Sequence, residues 1–459
     1  MTQNISRFKI AGFIAFSLVL LAFSFTTAQA QQVISLQKAV DLALANNLTI
    51  KQAQFTEALD NETLIQSKYN ALPSVTANPQ GSFFFGRSIN PSTNGFINQN
   101  NLSINGNVIA QVNIFQGGQI RNQVIQNRIL LDADKTSTAK VKNDLVLNVV
   151  TEYLTILTDQ DLVTAAKQQL DIAHITLDRA QKNFDAGNQT LADLSQAKAQ
   201  VSTADYNLTT SQNQTDLAIL TLKQYMEIKP ETQITIEKPD ISKLTNVKTY
   251  YDPQEVLGTA LTVNPDVKLA EVQAQAAQQG IKIAKGNYYP TLSLFALAGS
   301  NYTNLPITFS TATNSLIALP FLTQLGNNFN QSVGISLNIP IFNKFTARTS
   351  VRKAKITYEN SELTAQIARN NLSKIIYQAV SDLRAADKQY QSATQTYNAN
   401  KEAFNVTKQR YDVGLVNSLD YNTALTNLNK AQNDMIEAQY QVIFRSKVID
   451  YYLGNQITL

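Results

Sequence analysis

The chain contains two copies of one design. Ala43-Leu44-Ala45-Asn46-Asn47 resembles Ala260-Leu261-Thr262-Val263-Asn264, and Leu72-Pro73-Ser74 resembles Tyr289-Pro290-Thr291. Asn113-Ile114-Phe115 resembles Pro340-Ile341-Phe342, and Phe184-Asp185-Ala186-Gly187 resembles Tyr411-Asp412-Val413-Gly414. Early pairs are offset by 217 positions and later ones by 227, so the second copy carries about ten extra residues between its strands. A duplication on this scale requires that an element read in one half have a counterpart in the other.

Each copy predicts a helix, a strand, a loop, a second strand, a long helix, a turn and a return helix. In the first copy, residues 31–227, the helix spans about 35–71, with Ser35 as N-cap and Pro73 as the stop. Strands follow at about 75–85 and 101–115, then a long helix at about 119–184 and a return helix at about 191–227. In the second copy, residues 253–459, the helix spans about 253–288, with Asp252 as N-cap and Pro290 as the stop. Its strands are at about 291–300 and 331–342, its long helix at about 345–411 and its return helix at about 418–453. Residues 228–252 join the copies and hold a short strand candidate at Ile234-Thr235-Ile236.

Two of the four long strands alternate strictly. Leu102, Ile104, Val108, Ala110, Val112 and Ile114 share one face, and Asn101, Ser103, Asn105, Asn107, Gln111 and Asn113 share the other. Val333, Ile335, Leu337, Ile339 and Ile341 oppose Ser332, Ser336 and Asn338. A period of two places apolar groups on one side of a sheet and uncharged amides and hydroxyls on the other. A half-buried sheet on a soluble core would also alternate. These segments, however, approach the roughly 9–11 residues that a tilted strand needs to cross a bilayer, and their polar face suits a wet lumen. Four strands leave two open edges, which hydrocarbon does not tolerate. Closure therefore needs further copies of the chain; two would give eight strands and three would give twelve, and spacing alone does not choose.

The long helices carry heptads. Val149, Ile156, Val163, Leu170, Leu177 and Phe184 recur every seven residues, and three positions on sit Glu152, Asp159, Ala166, Ala173, Ala180 and Gly187. The second copy repeats this with Ile376, Leu383, Tyr390, Tyr397, Phe404 and Tyr411, against Ala379, Ala386 and Ala393, then Asn400, Thr407 and Gly414. Large-against-small seams at this period indicate antiparallel coiled-coil packing. At about 1.5 Å per residue each long helix measures close to 100 Å, and two short helices end to end would match it. The pattern predicts an elongated protomer with strands at one end and the Gly187 and Gly414 turns at the other.

Composition narrows the function. The chain has 459 residues and is 16% charged, with Lys+Arg 38 against Asp+Glu 34. That balance excludes nucleic acid as the main partner. Cys 0 and His 1 leave little for thiolate, metal or triad chemistry, and no G-x-x-x-x-G-K-[ST] loop occurs. No cofactor, metal or catalytic residue is assigned, and the chain is not read as an enzyme. Arg7 and Lys9, an apolar run from Ile10 to Phe25 and Ala28-Gln29-Ala30 predict a signal peptide over residues 1–30, cleaved before Gln31.

The duplicated layout, the strand ends Ile114-Phe115-Gln116-Gly117-Gly118 and Ile341-Phe342-Asn343, and a tip signature repeated in register resemble the TolC-like outer membrane efflux proteins. That signature is Phe184-Asp185-Ala186-Gly187 with Asp193 six residues past the glycine, and Tyr411-Asp412-Val413-Gly414 with Asp420 six past. The resemblance covers nearly all of the chain after the signal. It implies a mainly α fold with a membrane β-barrel part: long antiparallel coiled-coil helices forming an α-barrel, and four strands per protomer contributing to a twelve-stranded barrel in a homotrimer. It also implies an outer membrane location with a long periplasmic extension, a periplasmic adaptor and an inner-membrane pump as partners, and a passive exit duct gated at its periplasmic tip. Asp193, Asp420 and Tyr411 match positions near the family's constriction, and Gly187 and Gly414 match the turns where adaptors dock. Val416 stands where well-studied members have a gate arginine, and Thr423 where they have a second acidic residue, so the ionic network of the gate is expected to differ.

Other readings attach to the same residues. Asp193 and Asp420 would also suit the first turns of the return helices, where negative charge meets the helix N-terminus. A ring of such carboxylates in a narrow mouth would favour cations. The cluster Lys344, Arg348, Arg352, Lys353 and Lys355 reads as a solvated helix start or as a contact with outer membrane lipid headgroups. His174 reads as a surface or seam residue. Phe83-Phe84-Phe85 and Tyr302 are candidates for an interfacial aromatic girdle. Two other classes of function remain at this point: a non-conducting periplasmic coiled-coil scaffold or adaptor, and a secreted hydrolase built on Asp/Glu pairs.

Overall fold

The computed structural model describes residues 32–89, 94–98, 100–239, 248–306, 308–312 and 314–455. The expected signal peptide and part of the joining segment lie outside them. The elements in chain order are β1 (Gln32–Ile34), α1 (Leu36–Asn46), α2 (Leu48–Tyr69), β2 (Ser74–Phe84), β3 (Arg87–Ile89), β4 (Phe96–Asn98), β5 (Asn101–Gln116), α3 (Gln119–Asp185), α4 (Leu191–Tyr225) and β6 (Ile234–Ile236). The second half continues with α5 (Pro253–Val263), α6 (Pro265–Lys285), β7 (Thr291–Thr303), β8 (Thr308–Ser310), β9 (Ser315–Ile317), α7 (Phe321–Asn327), β10 (Asn330–Asn338), α8 (Thr346–Asp412) and α9 (Ser418–Leu453). The chain divides into two compact units. One takes in the chain up to Lys51, Val141–Asn264 and from Leu372 onward; the other takes in Gln52–Lys140 and Pro265–Asn371.

The second unit holds a four-stranded antiparallel sheet in the order β10-β7-β5-β2. Its register aligns the apolar positions across all four strands. Val75 and Ala77 stand opposite Ala110 and Val108; Ala110 and Val112 stand opposite Ala296 and Leu294; these meet Val333 and Ile335. One face is therefore continuously apolar, and it is bare: Val333 is 77% exposed and Ile335 67%. The other face carries Asn78, Asn105, Asn107, Gln111 and Ser336, interrupted by Ile109, Leu297 and Phe295. A Cβ on Gly334 would lie 2.6 Å from the Phe295 ring, so that ring fills the space a side chain would need. Pro79 lies on β2, an edge strand, where a missing N–H is tolerated. Phe83 and Tyr302 sit toward one end of the apolar face, with Phe83 stacked on Phe85 and Tyr302 edge-on to Phe321.

Helices continue this lateral order within the same unit. Thr138 of α3 donates to Glu57 of α2. Gln119 of α3 donates to Asn287 just beyond α6, Gln279 of α6 donates to Asn122 of α3, and Gln126 of α3 donates to the Ala276 carbonyl. Arg369 of α8 pairs with Glu271 of α6 at 2.6 Å. The sequence α2-α3-α6-α8 thus repeats the strand sequence β2-β5-β7-β10.

Sheet and helix meet at a close approach. Gly117 and Gly118 take φ of +58° and +73° between β5 and α3, and a Cβ on Gly117 would lie 2.4 Å from the Gly286 carbonyl oxygen. The second copy makes the same left-handed turn with Lys344 and Phe345, at φ of +55° and +61°. Their side chains are exposed, so the second copy tolerates a Cβ where the first does not.

In the first unit, β1 pairs in parallel with β6, and Ile34, Ile234 and Ile236 are buried between them and the helices. The Tyr153 hydroxyl donates to the Glu237 carbonyl at 2.7 Å and lies 3.1 Å from that of Ile34, tying α3 to both strands. Leu36, Ala39, Val40 and Ala43 bury one stripe of α1. Val149 and Ile156 of the heptad series are fully buried, as are Ile376 and Leu383.

Several expectations need correction. The helix expected over 35–71 is two helices, because Asn47 leaves helical geometry (ψ 130°) and its side-chain oxygen accepts from the Thr49 and Ile50 amides. Its counterpart at 253–288 breaks at Asn264, before Pro265, and closes with a 3-10 turn at Gly286–Tyr288. The fourth strand, expected to 342, ends at Asn338, since Pro340 cannot donate to a ladder. The strand expected over 291–300 extends to Thr303. The segments between strands are not plain loops. β3 and β4 form a hairpin with Arg87 over the Phe96 ring. β8 and β9 form another. Gln324 on α7 is 1% exposed, donating to the carbonyls of Thr303 and Leu319 and accepting from the Thr303 amide. Ser35 does cap α1, accepting from the Lys38 amide.

The contact between α2 and α3 contains an acidic cluster. Burial, then a hydrogen bond with Asp60, then the charges of Asp60 and Glu57 push the Asp134 carboxyl up to about 7. Folding therefore takes up a proton here between pH 4 and 7, and this contribution to stability falls as pH rises through that window and is level above it. Asp134→Asn should raise the thermal midpoint at pH 8 and flatten its decline between pH 5 and 8; circular dichroism melts across that range check this.

Candidate functional site

The residues singled out at the hairpin ends come together in the first unit. Gly187 and Gly414 take φ of +74° and +78°, a conformation that side chains disfavour, and close the two turns. Thr190 then caps α4: its hydroxyl accepts from the Asp193 amide at 3.2 Å, and the Asp193 carboxylate accepts from the Thr190 amide at 3.1 Å. This reciprocal box fixes the start of the return helix. Asn417 plays the capping part for α9, accepting from the Asp420 amide at 2.8 Å. Both aspartates thus occupy the first turns of the return helices.

Asp193 does more than cap. Ser418, next to the second cap, donates its hydroxyl to Asp193 Oδ1 and so links the two hairpins. The hydrogen bonds from Ser418 and Thr190 hold the Asp193 carboxyl below the usual carboxylate range. It therefore stays ionised at neutral and mildly acidic pH.

Tyr411 belongs to a second link. Its ring stacks on Tyr421 at 4.7 Å between centroids, and its hydroxyl accepts from Gln189 Nε2 at 3.0 Å. Tyr421 is buried, lies 5.5 Å from the Phe404 ring, and its hydroxyl is 3.5 Å from that of Thr176. Arg179 of α3 pairs with Asp412 and lies 5.8 Å from the centre of the Tyr411 ring. The arginine that pairs with Asp412 comes from α3, while position 416 is Val and the Thr423 hydroxyl donates to the Leu419 carbonyl. Arg179, Tyr421, Ser418 and Gln189 were not singled out from sequence. Their partners on the other hairpin lie more than 200 positions away, and only the duplicated layout hinted that the two tips would meet.

Two other candidates lie apart. His174 is exposed on α3. The five basic residues from Lys344 to Lys355 are exposed at the start of α8. Among the described residues, no group of three or more His, Asp or Glu is placed to hold a metal ion, and no helix is long and apolar enough to cross a membrane.

The family model for the outer membrane efflux protein matches residues 39–226 and 256–455, one match for each copy of the repeat. The chain belongs to the outer membrane efflux protein family. This efflux protein is 22% identical to the outer membrane efflux protein BepC of Brucella suis over 445 residues, covering 96% of this chain and 89% of BepC. It is 23% identical to the outer membrane protein TolC of Escherichia coli, in an alignment covering 68% of this chain and 61% of TolC. Its fold matches the crystal structure of the outer membrane protein VceC from Vibrio cholerae with a TM-score of 0.72 at 17% identity, covering 92% of this chain and 96% of that one. The efflux protein is thus placed in the outer membrane, with a fold shared by solved channels of that membrane.

Proposed function

We propose that three copies of this efflux protein pool their four-stranded sheets into one twelve-stranded barrel. The assembly is then a passive exit duct, closed at its tip, that receives cargo from an inner-membrane pump through a periplasmic adaptor. The observation that carries this is the sheet itself: one continuous apolar face, one amide-rich face and two unpaired edges. In hydrocarbon, an unpaired edge costs several kcal/mol per polar group, so edges must join edges. Twelve strands leave room for an aqueous interior, whereas eight tend to fill with side chains. A soluble scaffold would leave Val333, Ile335 and Leu337 bare to water without reward. The turns at Gly187 and Gly414 are the proposed adaptor contacts. Asp193, Asp420 and Tyr411, with Arg179 and Tyr421, make up the proposed gate. No catalytic step is assigned to the chain.

Purified protein in planar bilayers should give stepwise conductance with cation preference. The Asp193→Asn and Asp420→Asn double variant should lose much of that preference, since it removes two negative charges per subunit from the mouth while leaving amide caps. Asp193→Ala should in addition weaken the helix start by about 1 kcal/mol. Selectivity unchanged in the double variant would leave the aspartates as caps alone. Release of the wild-type protein from membranes by salt, without detergent, would overturn the duct.

A further inference from the structure

The four strands of the sheet carry no charged residue, and the helix ends that meet the sheet carry charge of one sign only. Lys68 stands at the end of α2, Arg121 and Arg128 open α3, Lys282 and Lys285 end α6, and the five basic residues from Lys344 to Lys355 open α8. Acidic residues begin only farther along the same helices, at Glu62, Asp132, Glu271 and Glu359. The junction of strands and helices thus holds ten basic residues and no acidic one, in a chain whose totals are 38 and 34.

Two cavities lie at this junction, and they differ in charge. One, lined by the amides of Gln111, Asn113 and Gln123, has no charged residue in its wall. The other, of about 850 Å³, is walled by Val112 and Ile114 of the apolar sheet face, by Val124 of α3 and by Lys68, Arg121 and Arg128. The duplication repeats this basic set: Lys285, at the offset of 217, matches Lys68, while Arg348 and Lys355, at the offset of 227, match Arg121 and Arg128. Ile341 matches Ile114 in the same way and is 95% exposed. All six basic residues are exposed, and among the described residues none of them makes an ion pair.

We propose that each of these two junctions binds an anionic diacyl phospholipid of the periplasm-facing leaflet, with its phosphate on the basic set and its acyl chains on the apolar strand end. This rests on the proposed barrel, which turns the apolar sheet face to lipid. Three observations select this occupant. The first is continuity: Val112 and Ile114 belong both to the lipid-facing surface and to the cavity wall, so a bound acyl chain never leaves hydrocarbon. The second is charge: the arginine fork matches phosphate oxygens, and a zwitterionic headgroup would bring its own cation against this all-basic layer. The third is reach. Arg128 and Lys355 lie about 10 Å along their helices beyond Arg121 and Arg348. Both helices start at the sheet, and helical side chains tilt toward the N-terminus, so these long side chains tilt toward the membrane.

The full chain, in detergent and stripped of lipid, is titrated with dioleoyl phosphatidylglycerol or with dioleoyl phosphatidylcholine, and retained lipid is counted by native mass spectrometry. At equal concentration, about fivefold more of the glycerol lipid should be retained per subunit. Arg121→Gln with Arg128→Gln should remove about half of that excess, as one of two independent sites, and adding Arg348→Gln and Lys355→Gln should abolish it. Lys198→Gln, Lys401→Gln, Lys408→Gln and Lys430→Gln together, at exposed positions of α4, α8 and α9, should leave it unchanged. Equal retention of both lipids by the wild-type oligomer, or an excess that survives the four junction substitutions, would overturn the site and leave the barrel standing. Should the fourfold variant fail to assemble, an undiminished excess in the double variant overturns it instead. Loss of the excess in the distant variant would do the same, since net charge alone would then account for it. Full competition by glycerol 3-phosphate would also overturn it, because the acyl chains would then contribute nothing. Wild-type protein sedimenting as one subunit would overturn both proposals.

Discussion

Replacing Gly117 by Ala should prevent folded protein from accumulating in the membrane, whereas Lys344→Ala, at the matching position of the second copy, should be close to neutral. Both residues hold left-handed backbone, at φ of +58° and +55°. Holding any side chain there costs roughly 1–2 kcal/mol, which Lys344 already bears and alanine would also bear. The difference lies in the surroundings. A Cβ at 117 would sit 2.4 Å from the Gly286 oxygen and 2.9 Å from its Cα, and backbone cannot swing aside as a side-chain end can. Overpacking of this kind adds about 1–3 kcal/mol, for a total of about 2–5 kcal/mol, against a usual stability of about 5–15 kcal/mol. The loss also falls where β5 enters α3 and both meet the end of α6, so strand and helix registers would shift together. Heat-resistant oligomer on gels and thermal melts of the two variants in detergent provide the comparison; equal behaviour would show that the approach of Gly117 to Gly286 contributes nothing.

Tyr421→Ala should open the tip. Tyr421 is buried, stacked on Tyr411 and packed beside Phe404, so its removal leaves a cavity and costs about 3 kcal/mol or more locally. The Arg179–Asp412 pair next to it is 42% and 36% exposed and on its own contributes about 1 kcal/mol or less. Tyr421 also packs in a cluster with Ile172 of α3 and lies 3.5 Å from Thr176, so its burial does more than charge to hold the two hairpins together, and Arg179→Ala should have a much smaller effect than Tyr421→Ala. A shift of about 3 kcal/mol changes an open-to-closed ratio by roughly a hundredfold. The expected results are higher single-channel conductance and faster proteolysis near Gly187 and Gly414. Wild-type conductance and cleavage in Tyr421→Ala would remove the stack from the gate.

The sheet was legible because its pattern is local. Leu102 to Ile114 alternate with amides at the period of two that marks a strand, and the duplication supplied the partner strands. β7 reads less clearly because Phe295 and Leu297 stand on the amide face, and the reason for Phe295, the vacancy above Gly334, lies on a neighbouring strand. Ile339 to Phe342 prolong the apolar alternation past the true strand end, and there proline chemistry outweighs pattern. The break at Asn47 was hidden because helix-like character continues across it while the side chain supplies the missing caps. At the tip, the turns and the first-turn aspartates were legible from spacing. The pairing of Arg179 with Asp412 and the bond of Gln189 to Tyr411 were not, because contacts between two separate hairpins leave no periodic trace. The pairing of β1 with β6 was half visible: Ile234 to Ile236 reads as a strand, but the three residues Gln32 to Ile34 announce no partner.

The unpaired margins of the sheet have a consequence for biogenesis. A newly exported subunit cannot satisfy β2 and β10 by itself, and its apolar sheet face is equally unshielded in water. Such a species is prone to clump with any other exposed strand it meets. In the proposed trimer such a subunit stays unshielded until two siblings arrive, so the supply of working ducts is governed by encounter among newcomers as much as by synthesis.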